Sequence, residues 1–420
     1  MRRAWALWAV TASLSLAGAS AADAPQPQRL GDIPASGDLD RRIAAALATG
    51  PDGVTTALIR SGARVVVRRA RAGRGFGAAR RVPLGGNAST ANVAAGDGFA
   101  ALAWTHFDAS PIPEPYARED PCCRRVRAAL IGRSGRITHP RTLSAPKSNV
   151  YAISTAVHGR RAVVAWNDTR GLRTSTGVRG SGFRRPATIS SQPAALLGVA
   201  LPHATPHVFF VAGVRKPRFV EAWRTGGHVR RRTLGPFPER FFDPVAAVSP
   251  AGQLLLASDT FTRSRQRRLV IVTRRPGGGL RTVRLRLRAS PEATTTIGLA
   301  PSGEGLVVST ERRHRVLLRT VDRSGHVSRA RVMRMGRATV EIAVAIARSG
   351  GGVLPATLFG GDSRRRRDRL VAWRLRRGGR LGPRHTLYPP GGYVSGPLGV
   401  TADGRVTWQQ RQGTYAGLVR

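Results

Sequence analysis

Short apolar runs broken by glycine, proline, aspartate or serine recur along almost the whole chain, and their order repeats. One recurring piece is an apolar strand, a tight turn and a second apolar strand: Val93-Ala94-Ala95, the turn Gly96-Asp97-Gly98, then Ala101-Leu102-Ala103-Trp104. Val157-His158-Gly159 leads in the same way into Val163-Val164-Ala165-Trp166, and Leu254-Leu255-Leu256-Ala257, Leu306-Val307-Val308-Ser309 and Val406-Thr407-Trp408 follow comparable turns. The turn residues are those that preset or tolerate the dihedrals of a chain reversal. A second piece is an alternating strand, a glycine turn and one apolar residue opening the next strand. It is seen at 126–131 before Gly135-Arg136-Ile137, and again around Gly227-His228-Val229, Gly278-Gly279-Leu280, Gly325-His326-Val327 and Gly379-Arg380-Leu381. Gly75-Phe76 and Gly182-Phe183 are shorter relatives of the same hairpin, in which glycine supplies a positive φ.

Joined, the two pieces make a unit of four short strands, a to d. Strand b opens near Thr56, Ala101, Val163, Val208, Leu254, Leu306, Val353 and Arg405, so the units lie about 50 residues apart. This predicts an all-β fold, a β-propeller of eight four-stranded blades around a central channel. The last unit stops after a strand c at Thr414-Tyr415-Ala416-Gly417-Leu418-Val419. Gln28-Arg29-Leu30-Gly31 is written like the strand-d pieces Arg141-Thr142-Leu143-Ser144 and Arg232-Thr233-Leu234-Gly235, so an N-terminal strand near 28–31 is expected to complete the last blade and close the ring. A seven-bladed ring decorated by one divergent unit, or two packed sheet domains, are the competing arrangements. The first unit departs most, because 38–47 can be capped by Asp38 and form a short helix with Ile43, Ala44 and Leu47 on one face, displacing strand a.

The units that end strand b in Ala-Trp, at Ala103-Trp104 and Ala165-Trp166, give the chain a loose similarity to secreted bacterial propellers of the sialidase-type and WD-repeat families. The resemblance implies the blade architecture and no particular chemistry. The sialidase Asp box does not occur, nor does the Gly-His and Trp-Asp pair of a WD repeat. Trp104, Trp166, Trp223, Trp373 and Trp408 are expected to be buried between sheets.

Ahead of the repeats, Arg2-Arg3, the apolar run 4–17 and the small residues Ala19-Ser20-Ala21 read as a cleavable signal peptide over 1–21, followed by one propeller domain over 22–420. Leu16-Ala17-Gly18-Ala19 has alanine where a lipoprotein box has its cysteine, so release to the outside is expected, with no integral membrane segment and a monomeric product. In that oxidising setting the adjacent Cys122 and Cys123 form a vicinal disulfide, pair between molecules or stay as two thiols. Two sulfur ligands alone do not make a metal site, and neither a metal nor a cofactor is expected.

The composition then adds charge. With 69 basic and 23 acidic residues the formal net charge is +46, and Lys147 and Lys216 are the only lysines. Attraction to a polyanion is one source of such a bias, and the coding bias of a GC-rich genome is the other. Non-specific nucleic-acid binding at low salt follows in either case.

Binding sites on propellers occupy the face where the b–c and d–a links emerge. Three b–c links are long: 106–124, 258–268 and 358–369. The first is a proline-stiffened acidic lid carrying Glu114, Tyr116, Glu119 and Asp120, with the cysteine pair at its end. Just beyond the strand-b core lie His106, Asp168, Asp259 and Glu311, expected as a partial polar ring, and two residues on lie Asp108, Arg170 and Arg313. These are the candidate ligand-binding residues; local pairing that closes strands and satisfies turn amides is the competing account. No Gly-x-Ser-x-Gly elbow or phosphate-cradling glycine loop occurs, so no catalytic residue is assigned. The expected function is therefore non-catalytic binding of a ligand or partner, an anionic polymer or glycan, at the loop-rich face. The alternative is a divergent glycan-processing hydrolase or lyase using Asp168, Asp259 or Glu311 as its carboxylates.

Overall fold

The computed structural model describes residues 27–32, 45–61, 64–83, 88–107, 124–146, 148–213, 216–237, 242–261, 267–287, 294–312, 315–335, 339–347, 351–358, 368–392, 394–410 and 413–419. They form eight antiparallel sheets, each with the strand order a-b-c-d. Blade 1 is Ala45–Thr49, Thr55–Ser61, Arg64–Ala70 and Arg80–Arg81; blade 2 is Ala88–Gly96, Phe99–Phe107, Arg124–Gly132 and Ile137–Thr142. Blade 3 is Val150–His158, Arg161–Asp168, Gly171–Val178 and a strand d split into Gly182–Phe183 and Ala187–Ser190. Blade 4 is Ala194–Ala200, His207–Ala212, Arg218–Thr225 and His228–Pro236; blade 5 is Phe242–Val248, Leu254–Phe261, Arg267–Arg274 and Leu280–Arg286. Blade 6 is Thr295–Leu299, Gly305–Arg312, Arg315–Val321 and Arg331–Arg334. In blade 7, strand a is split into Thr339–Ile342 and Ala345–Ile346, and Gly352–Leu358, Asp368–Arg376 and Arg380–Gly392 follow. Blade 8 takes Val394–Val400, Arg405–Gln410 and Gly413–Leu418, and its strand d is Gln28–Asp32.

The chain is thus an eight-bladed β-propeller closed by its N-terminal strand, which runs antiparallel to Gly413–Leu418. Leu30 on that strand is buried against Ala57, Ile59 and Phe76 of blade 1 and Ala416 of blade 8. The Gln28 amide donates to the Phe76 carbonyl and accepts from the Phe76 N–H, both at 2.7 Å, so the closing strand is tied to blade 1 as well.

Each junction between blades holds its own apolar cluster. Successive side chains of a strand point to opposite faces, so a strand b sandwiched between two blades must be apolar on both. In blade 2, Leu102 and Trp104 pack toward blade 1 while Ala101 and Ala103 pack toward blade 3. Trp104, Trp166 and Trp408 are fully buried in this way, whereas Trp223 and Trp373 are half-buried.

Two sequence expectations are corrected. The first unit has a strand a after all: Ala45–Thr49 pairs in register with Thr55–Ile59, and the sheet overrides the helical preference of its alanines, so Leu47 does not sit on a helix. The remainder of 38–44 lies outside the described residues. In blade 5, Asp259, Thr260 and Phe261 pair with Leu269, Arg268 and Arg267, so the strands extend into what read as a long link.

Arginine also stitches the ring. Its guanidinium carries five donors and no acceptor, so it can satisfy backbone carbonyls without an acid. Arg69 Nη1 donates to the Gly132 and Arg133 carbonyls of blade 2 at 2.9 and 2.7 Å. Arg141, Arg161, Arg232, Arg331, Arg374 and Arg405 each donate in the same way to a carbonyl of the following blade. Between blades 5 and 6, Gln253 and Thr273 do so instead, to Gly303 and Gly325. Part of the arginine excess is therefore structural.

Candidate binding face

The structure brings His106, Asp168, Asp259 and Glu311 to the same end of strand b in blades 2, 3, 5 and 6, the end from which the b–c links leave. Asp108, Arg313, the lid residues Glu114, Tyr116, Glu119 and Asp120, and the pair Cys122-Cys123 lie outside the described residues. Each described carboxylate of the ring meets an arginine of strand c in its own blade. Asp168 is buried; its Oδ1 accepts the Arg170 backbone N–H at 2.8 Å, and its Oδ2 faces Arg173 Nε at 3.8 Å. The Arg170 side chain itself is exposed. Asp259 pairs with Arg267 and accepts from Thr295 Oγ1 of blade 6 at 3.2 Å. Glu311 pairs with Arg315 Nη1 at 3.2 Å, and its charge also supports Arg319, whose pKa burial otherwise lowers.

Those pairings expose a pattern that sequence reading missed. Strand c opens on arginine in five of the eight blades, at Arg64, Arg124 and Arg125, Arg218, Arg267 and Arg268, and Arg315, and Arg369 is its second residue in blade 7; in blades 3 and 8 it opens on Gly171 and Gly413. The acids of the ring answer only some of them. In blades 1, 4 and 7 the residues opposite on strand b are Ser61, Ala212 and Leu358, none of them acidic. Arg64 and Arg218 are exposed and Arg369 is half-buried. Arginines also face each other across the sheet, Arg268 opposite Arg286 in blade 5 and Arg315 opposite Arg334 in blade 6. Like charges directly opposite are destabilising, and in blade 6 Glu311 answers Arg315. The signal in the sequence was an arginine at the close of most b–c links, legible only once the start of strand c is fixed.

The opposite end of the ring differs. There the a–b turns of all eight blades surround the channel mouth, a cavity of about 1470 Å³ whose walls include Leu47, Val157, Ile297, Ile346 and Val400. Arg323 is the one arginine among its lining residues, and Asp97 and Asp403 are its acids. Asp403 is held by Thr49 Oγ1 at 3.1 Å and Arg405 Nε at 3.2 Å.

Between blades 4 and 5 lies a charged cluster that no spacing announced. Glu221 is buried, with His207 Nδ1 at 2.8 Å, Arg232 Nη2 at 2.8 Å and Arg274 Nη2 at 2.7 Å. Burial pushes the Glu221 carboxyl up, but the hydrogen bonds from His207 and Arg232 and the charge of Arg274 outweigh it and hold the group below its usual range. Arg274 also lies over the Phe209 ring, 5.2 Å from its centroid, and His207 stacks on Trp223 at 5.4 Å. With two guanidiniums and a histidine on one carboxylate, the cluster is a structural tie with no vacant acid or base. Among the described residues, no three His, Cys, Asp or Glu side chains come together as a metal ion requires, and no helix is long and apolar enough to cross a membrane.

No protein-family model matches the chain, and no curated protein matches it in sequence. Solved structures do match in fold. A structure described as the Dos1 propeller superposes with a TM-score of 0.52 at 9% identity, covering 93% of this chain and 95% of that one. Virginiamycin B lyase from Staphylococcus aureus matches with a TM-score of 0.45 at 9% identity over 94% of this chain and 99% of its own. Hydrazine synthase of Kuenenia stuttgartiensis matches with a TM-score of 0.45 at 14% identity over 74% and 91%. At these identities the likeness is one of propeller architecture alone.

Proposed function

We propose that the chain is an exported, non-catalytic propeller that binds an anionic polymer, a charged glycan or related envelope polymer, across its b–c face. The observation that carries this reading is the arginine at the start of strand c in six of the eight blades, unanswered by a strand-b acid in blades 1, 4 and 7. A ring of guanidiniums at a repeated position suits a ligand that itself repeats its charge, because successive carboxylates, sulfates or phosphates can be forked one after another. The paired acids Asp168, Asp259 and Glu311 fit this role as spacers that fix individual arginines, and their engagement leaves them poorly placed as the free acid and base of a hydrolase. Cleavage near Ala21 and action as a monomer outside the cell complete the proposal.

The test compares wild-type protein with the triple variant Arg64→Ser, Arg218→Ser, Arg369→Ser in binding to polyphosphate and dextran sulfate over a salt series. Each lost contact removes about 0.7 from the slope of log K against log salt for a single-stranded polyanion, so the triple variant should lose about 2. An unchanged slope would overturn the assignment of these three residues.

A further inference from the structure

A second charged feature lies on the other side of the ring, away from the b–c face, where the c–d turns of blades 2 and 3 approach one another. Between them opens a cavity of about 580 Å³. At its base it reaches the buried edge of the blade 2–3 apolar cluster at Phe99 and Leu130, and its rim carries Arg133, Arg136 and Arg179. All three rim arginines are exposed, and of the three only Arg133 has a carboxylate partner among the described residues, Asp97 at 3.5 Å, with both side chains largely in solvent. Such a pair contributes little and is readily exchanged.

The surroundings add positive charge. The Arg80 guanidinium lies against Gly135 at the tip of the blade 2 turn, and Arg69 donates to the carbonyls of Gly132 and Arg133 in the same turn. Burial pushes Arg69 below its usual pKa; the charge of Asp52 opposes this, and the charge of Arg80 adds a smaller push in the same direction as burial. Arg69, Arg80, Arg133 and Arg136 therefore lie on or against the blade 2 turn, with Arg179 on the neighbouring turn of blade 3, and the Gly132 and Arg133 carbonyls are taken up by Arg69. Of the acids nearby, Asp97 pairs with Arg133 and Asp52 acts on Arg69, and no described ion pair reaches Arg136 or Arg179, which stand beside the apolar junction of the two blades.

We propose that this groove is a binding site for a small oxyanion that carries an apolar substituent. A phosphate, sulfate or carboxylate head would be forked by Arg136 and Arg179, whose positions on two separate blades let them approach it from both sides. The apolar body would lie at the base between the blades. The volume suits a ligand of ordinary small-molecule size and is far too small for a folded partner. This is a different site and a different ligand class from the polymer-binding face, since a polymer needs a repeated charge and this groove offers a single anionic seat next to an apolar one.

Isothermal titration with three probes tests the proposal: hexyl phosphate, inorganic phosphate and hexanol, each at about 0.3 M salt, where exposed long-range attraction is largely screened. Hexyl phosphate should bind with one site per chain and at least about tenfold more tightly than inorganic phosphate, and hexanol should give no heat of binding. The double variant Arg136→Ser, Arg179→Ser should lose at least about tenfold in hexyl phosphate affinity with no change in the urea midpoint of the free protein. The triple variant Arg64→Ser, Arg218→Ser, Arg369→Ser should bind hexyl phosphate as wild type does. Equal binding of hexyl and inorganic phosphate, or full retention of binding by the Arg136 and Arg179 double variant, would overturn the proposal. Loss in the b–c face variant would do so too, because it would place the anion on the other side of the ring.

Discussion

Truncating Leu30 tests the closure of the ring at a single side chain. Leu30 is 1% exposed and packs between blade 8 and blade 1, against Ala57, Ile59, Ala70, Phe76 and Ala416. Replacement by alanine removes most of its apolar surface and leaves a void that small neighbours such as Ala57 and Ala416 cannot fill, so the loss should sit within the roughly 2–5 kcal/mol found for buried leucines. Gln28→Ala breaks two hydrogen bonds to the Phe76 backbone at a half-buried position, for about 1 kcal/mol each. Urea unfolding at constant m-value is the assay, because an unchanged slope shows that the midpoint shift is stability and not a change in the surface exposed. If the N-terminal strand did not complete blade 8, Leu30 would behave as a surface residue. A Leu30→Ala change within about 0.5 kcal/mol of wild type would therefore refute the closure.

Other consequences can be measured alongside. Because the Glu221 carboxyl titrates below its unfolded value of about 4.3, the folded state binds fewer protons in that window; its contribution is complete above that value and is lost as pH falls through the folded pKa. Glu221→Gln should therefore be less stable than wild type near neutrality yet show a flatter acid limb below about pH 5, and parallel limbs would contradict the account. Gly303 has φ of +90°, and a Cβ there would collide with the Gln253 side chain that donates to the Gly303 carbonyl across the junction of blades 5 and 6. Gly226 has φ of +57° and open space around it. Alanine should thus cost about 1–2 kcal/mol at Gly226, from the backbone alone, and clearly more at Gly303, as read from urea midpoints.

Much of the architecture was legible because blade packing imposes an unusual demand on strand b. Leu102 and Trp104 face one neighbour, Ala101 and Ala103 the other, so the strand reads as an apolar run at a fixed spacing, and the turns between the runs carry glycine where φ is positive. The strand-b starts expected at Leu254 and Arg405 fall on the first residues of the observed strands, and Gln28 to Gly31 lies in the closing strand. The first blade misled because Ala45–Thr49 is a run of good helix formers whose strand state is decided by pairing with Thr55–Ile59, a tertiary effect.

The placement of the candidate residues was legible in part. His106, Asp168, Asp259 and Glu311 share one end of strand b, as expected from their offset, and Asp168 caps a turn amide as the local-pairing account required. Its ion-pair partner is Arg173, two strand residues past the turn, and not the neighbouring Arg170. Glu221 was invisible because its partners His207, Arg232 and Arg274 come from two blades and stand at no motif spacing. The groove between blades 2 and 3 was equally hidden, since Arg133, Arg136 and Arg179 look in sequence like ordinary turn residues.

Binding of residues 22–420 to a panel of glycans, teichoic-type polymers and DNA, at low salt and again at about 0.5 M, tests the central claim most directly. A shaped guanidinium face predicts that one class of anionic polymer remains bound at high salt while the others are released. Uniform release of every polymer would contradict the claim and assign the +46 charge to composition and to the stitching of the blades.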